Sequence, residues 1–262
     1  MNDNDRIDWH IAFIQALKLD FEAYSGILDI YDNVHLTAEP LKIDAVIIKK
    51  LQDGVIHKNI AAIFRTDNIV EYKNPEVYLS IPDFEKTLAY THLYASLNKM
   101  NITDLSLSII VTKEPRQIEK YLKSAYGQEL EKSADGIYLV KGFSFPLQIL
   151  MSGGLPAQEN LFLNGLRPNL NAAHIENLLK TGKEFDIVKL RPYLEVICRA
   201  NYKVVEEIRK MSSKTFDEWL VEIGLEATAE AIGEARGEAR GEAIGEARGK
   251  AIGKAIGKAS VV

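Results

Sequence analysis

Apolar residues in the first quarter of the chain change their spacing. Trp9, Phe13, Ile14, Leu17, Phe21 and Tyr24 recur at three and four residues over positions 8 to 24, which predicts an amphipathic helix ended near Gly26. Short β-rich runs follow at 27–31, 43–48 and 68–73. Pro82 then opens a second helical stretch that runs to Leu97. The run LSLSIIVT at 105–112 suits a strand buried in a sheet, and 114–123 reads as the next helix. Segments 137–140 and 146–150 look like a closing β pair, and MSGGLP after them marks a boundary. The pattern predicts an α/β core over residues 1–155.

Beyond residue 157 the spacing turns helical at 171–179, 188–210 and 216–223, so residues 156–225 form a helical extension. Residues 226–262 are a repeat tail. Glycines from Gly233 to Gly257 recur every fourth residue, each followed by Glu or Lys and then Ala. A four-residue period advances about 400° on an α-helix, so the glycines drift around the surface without holding a seam. Each Gly costs about 1 kcal/mol of helix propensity against Ala, which leaves a marginal helix. The helical C-terminal part is the expected place for self-assembly into a homo-oligomer.

Composition narrows the class. With 47% hydrophobic and 26% charged residues the chain has an ordinary globular balance. No apolar run approaches the roughly 20 residues a bilayer requires, and the N-terminus MNDNDRIDWH is acidic where a signal peptide would be basic. A cytoplasmic protein without a membrane partner is expected. The lone Cys198 can form neither an internal disulfide nor a cysteine zinc site. A net charge of −5 argues against a protein that coats nucleic acid indiscriminately, though not against a local basic cleft.

The chemistry concentrates between Leu41 and Lys73. Asp44 interrupts the apolar run Ile43-Asp44-Ala45-Val46-Ile47-Ile48, where an unpaired charge would be costly to bury. Glu71 and Lys73 stand two apart in a strand and so share a face, with Val70 and Tyr72 pointing the other way. If the two strands are neighbours, the three side chains converge. Two carboxylates are hard oxygen ligands suited to Mg²⁺, and a lysine beside them can orient or deprotonate water, which is the equipment of a metal-dependent phosphodiesterase.

The runs LKIDAVIIKK at 41–50, NIAAIFR at 59–65 and NIVEYKNP at 68–75 resemble the PD-(D/E)xK nuclease superfamily, within it the bacterial recombination-promoting and transposase-like nucleases. The likeness spans about residues 8 to 165. Pro40 lies four residues before Asp44, so the literal Pro-Asp pair is missing. The resemblance implies a restriction-endonuclease-like core with a mixed central sheet flanked by helices. It also implies Asp44 and Glu71 as ligands of Mg²⁺, with Mn²⁺ a substitute, Lys73 as the catalytic lysine and DNA as substrate. An acid from the first helix often joins such a set. Asp20 falls within the apolar stripe and is preferred over Glu22, which points nearly opposite.

On the helix after the motif, Lys86 and Tyr90 stand four apart and could contact a substrate phosphate. Lys49, Lys50, Lys58, Lys113, Arg116, Lys120 and Lys123 are further cations that could meet a nucleic acid backbone. Two alternatives stay open at this point. One is a non-catalytic protein of the same fold that binds partners through its helical part. The other is a nuclease that cuts RNA.

Overall fold

The computed structural model describes residues 8–32, 45–52, 54–182 and 184–211. Asp44, the 216–223 segment and the repeat tail lie outside the described residues.

The chain opens with helix α1 (Trp9–Asp20), whose N-terminus is capped by the Asp8 carboxylate accepting from the backbone N–H of His10 and Ile11. Strands β1 (Leu28–Tyr31), β2 (Ala45–Lys50) and β3 (Asp67–Tyr72) follow, then helix α2 (Ile81–Leu97) and strand β4 (Leu105–Val111). Helix α3 (Arg116–Tyr121) runs into a wider turn that ends at Gly127, and strands β5 (Leu130–Ala134), β6 (Ile137–Val140) and β7 (Leu147–Met151) complete the sheet. Helices α4 (Leu161–Asn164), α5 (Ala172–Gly182), α6 (Ile187–Ala200) and α7 (Tyr202–Met211) come last.

The described strands form one mixed sheet in the order β1-β2-β3-β4-β7-β6-β5. Its centre, β3-β4-β7, is parallel and both flanks are antiparallel. Alternation along the central strands sends side chains to two cores. Val46, Ile48, Val70, Tyr72, Ile110 and Leu150 enter one with α1 and the late helices. Ala45, Ile47, Ile69, Leu107, Ile109 and Ile149 enter the other with Phe84 and Leu88 of α2 and Ile118 of α3. The architecture is a sheet between two helical layers, and central strands buried on both faces explain their continuous apolar runs.

The helices after residue 160 share one buried cluster with α1 and the sheet. The long helical stretch expected at 188–210 is broken at Asn201. Its side-chain carbonyl accepts from the backbone N–H of Leu170 at 2.8 Å, and its amide donates to the carbonyls of Arg167 and Ile197. An asparagine that satisfies backbone groups elsewhere competes with helix continuation. Strand β5 was not expected from the pattern. Lying at the sheet edge with exposed Glu131, Lys132 and Ser133, it carries polar residues where an inner strand would carry apolar ones. Gly136 turns the chain into β6 at φ +73°, and a Cβ there would lie 2.5 Å from the backbone nitrogen of Leu155. Among the described residues no helix is long and apolar enough to cross a membrane.

Candidate active site

Strands β2 and β3 are antiparallel neighbours, and Ala45 is the register partner of Glu71. Asp44 precedes Ala45 in the chain and lies outside the described residues. Glu71 is buried near the C-terminal end of β3, on the face covered by α2. Two residues on, the Lys73 ammonium lies 2.9 Å from a Glu71 carboxylate oxygen, so the pairing expected from their spacing is made.

A third side chain completes this cluster. Asp83, in the first turn of α2, reaches the same ammonium at 3.3 Å. Its position is held by Ser80, which caps α2: the Ser80 hydroxyl donates to Asp83 Oδ2 at 2.6 Å and accepts from the Asp83 backbone N–H at 3.2 Å. Burial works against the Lys73 charge, but Glu71 and Asp83 outweigh it and hold the ammonium above its ordinary pKa. Burial likewise works against the Asp83 carboxylate, which Ser80 and Lys73 nevertheless hold below its ordinary value. Asp83 was missed in the sequence. The signal was present in Ser80-Ile81-Pro82-Asp83, a serine cap followed three residues later by an acid with proline between them.

Asp20 does not join this cluster. It lies on the opposite side of the sheet, in the layer of α1 and the late helices. Phe13 stacks on Tyr72 at 4.6 Å between ring centroids, which places the first half of α1 over the end of β3. Asp20 is seven residues farther along, roughly 10 Å at helical rise. There its carboxylate stands 3.8 Å from the Lys58 ammonium and accepts from the backbone N–H of Leu163 at 2.8 Å. Lys58 also donates to the Glu159 carbonyl and lies over the Phe21 ring. Burial pushes the Asp20 carboxyl up to about 6, against the pull of Lys58 and the backbone N–H groups of Leu163 and Phe162. Burial also lowers Lys58, with Asp20 and Glu159 opposing. Lys58 is therefore an interior strut, where the sequence offered it as a cation for the nucleic acid backbone. Glu22 pairs with Lys189 of α6 at 2.7 Å.

Lys86 and Tyr90 share a face of α2, with the exposed Lys86 ammonium 5.6 Å from the Tyr90 ring centre. Tyr90 also packs on the core between the sheet and α2. Both follow Asp83 by one to two turns. Arg116 is engaged by Glu114 at 2.7 Å and Lys123 by Glu129 at 3.0 Å. Burial pushes the Cys198 thiol up to about 12, so it is an inert core residue. Among the described residues no three His, Cys, Asp or Glu side chains form a ready metal cage.

No protein-family model matches the chain, and neither a curated protein nor a solved structure is significantly similar to it.

Proposed function

We propose that this protein is a divalent-metal-dependent endonuclease of the PD-(D/E)xK type that hydrolyses DNA phosphodiester bonds. The observation that carries the reading is the Glu71–Lys73 contact at 2.9 Å at the end of β3, with the second carboxylate of Asp83 on the same ammonium. A mixed sheet flanked by helices agrees with the fold the resemblance implies. The link to recombination or mobile elements rests on that resemblance alone.

The donor set suits a hard cation. Glu71, with Asp44 just before its register partner in the chain, would offer carboxylate oxygens to Mg²⁺, an ion that favours oxygen ligands. A bound Mg²⁺, or Mn²⁺ in its place, would supply Lewis acidity. Lys73 orients the attacking water and meets the negative charge that develops on the phosphate. Asp83 and Ser80 hold the lysine in place for that role. Asp20, committed to Lys58 and Leu163, is left out of the set.

The test is cleavage of plasmid DNA by the purified protein in Mg²⁺. Glu71→Ala and Lys73→Ala are each expected to lower the rate by at least about 10²–10³-fold, the scale of losing one electrostatic group at a reacting centre. Circular dichroism should show both variants folded. Cutting that persists in the two folded variants overturns the assignment.

A further inference from the structure

The loop between β3 and α2 is pinned at several points. Lys73 extends the ladder of β3 by donating its backbone N–H to the Ile110 carbonyl at 2.9 Å. Asn74 accepts from the Glu76 backbone N–H through its side chain at 3.0 Å and from the Val77 N–H through its carbonyl at 3.1 Å. Pro75 and Leu79 are buried, and Ser80 caps the helix beyond. Between these anchors the loop presents Val77 and Tyr78 to solvent, Tyr78 at 65% exposure.

That ring is held. Lys113, two residues past the end of β4, places its ammonium 4.3 Å from the Tyr78 ring centre and donates to the Glu76 carbonyl at 3.0 Å. Strands β3 and β4 are parallel and end on the same side of the sheet, so this ring and cation stand beside the end of the strand that carries Glu71. Tyr78 is five residues from Lys73 along a braced loop.

We infer that Tyr78 and Lys113 form a seat for an unpaired nucleotide next to the phosphate on which Glu71 and Lys73 act. An exposed, prearranged aromatic ring stacks any base without demanding sequence on the face opposite Lys113, and the ammonium lying over the other face meets a neighbouring phosphate. A base inside an intact duplex already has its faces covered, so the seat selects single-stranded DNA or a frayed or branched segment. This rests on the nuclease reading, whose substrate class it names.

The experiment uses the full chain and a labelled single-stranded oligodeoxynucleotide, with the same sequence as a blunt duplex for comparison. Binding is followed by fluorescence anisotropy without divalent ions, and cleavage in Mg²⁺. Tyr78→Ala should weaken single-strand binding about 5- to 100-fold and leave duplex binding within about twofold, whereas Tyr78→Trp retains it. The cleavage loss should appear in KM more than in kcat. Lys113→Ala should flatten the slope of log affinity against log salt by about 0.7, one phosphate contact on a single strand. Wild-type cleavage with unchanged single-strand binding in Tyr78→Ala overturns the seat and leaves the nuclease reading standing. An equal loss on both substrates also overturns it. Single-strand binding that depends on Tyr78, in a protein that never cuts, supports the seat and removes the hydrolysis.

Discussion

Two lysine-carboxylate clusters lie on opposite faces of one sheet, and they differ in what surrounds them. In the Asp20–Lys58 pair the side chains are 4% and 6% exposed, and the backbone groups of Leu163 and Glu159 engage both charges. In the other cluster Lys73 and Asp83 are 14% and 31% exposed, so water reaches them. The first pair ties α1 and the loop before β3 to the late helices. The second stands at a strand end where a phosphate could enter. An ion pair closed off from solvent and saturated by its own backbone has no capacity left for a ligand, so Asp20 is left out of the proposed site, whereas the buried Glu71 meets solvent-reached groups in Lys73 and Asp83.

The sharpest way to break the contrast is to remove each lysine in turn. Lys58→Met leaves the Asp20 carboxylate buried without its cation and should cost about 3–5 kcal/mol in urea unfolding. Lys73→Met should cost less, about 1–2 kcal/mol, because water reaches the Lys73 position and Asp83 although Glu71 is buried, yet it should abolish cleavage. Equal losses of stability would erase the distinction.

The two clusters should also respond to acid with opposite sign. Asp20 titrates at about 6 in the folded protein against an ordinary value of 3.8, so the folded state binds its proton more tightly than the unfolded chain. The stabilisation from that proton is fully present below 3.8 and is lost as pH rises through about 6. The shift corresponds to about 3 kcal/mol. Measured as the stability of wild type minus that of Asp20→Asn, the difference should grow by most of that amount between roughly pH 7 and pH 4. Asp83 is shifted the other way: its contribution is present above 3.8 and disappears as pH falls through its lowered value. A flat difference curve for Asp20→Asn would show that its proton is not held by the fold.

The smallest effect concerns the brace behind Lys73. Ser80→Ala removes the cap of α2 and the hydroxyl that holds Asp83, and should lower stability by about 1 kcal/mol. It should also lower the cleavage rate, since Lys73 loses the fixed position of one carboxylate. Unchanged cleavage in a measurably destabilised Ser80→Ala protein would confine Ser80 to helix capping.

Much of this layout was legible before folding. The period of two puts Glu71 and Lys73 on one face and Val70 and Tyr72 on the other, and the two cores divide those apolar neighbours accordingly. The stripe from Trp9 to Leu17 is buried as its spacing requires. The phase of α1 also turned Asp20 inward as expected, but phase carries no information about position along the axis. Asp20 is held by Lys58 and Leu163 because Phe13 stacks on Tyr72 and so sets where α1 lies over the sheet. Strand β5 escaped notice for a related reason: an edge strand bears its polar groups on open faces and leaves little hydrophobic signature.

The amino-acid sequence by itself determined the alternation of strands and helices, the shared face of Glu71 and Lys73, and the cap that starts α2, because each depends on residues within a few positions of one another. The tertiary structure alone decided that Asp83 meets Lys73, that Lys58 goes to Asp20, and that Lys113 braces Tyr78. These partners are separated by 10, 38 and 35 positions, so their meeting depends on how the sheet orders its strands and where each helix lies upon it.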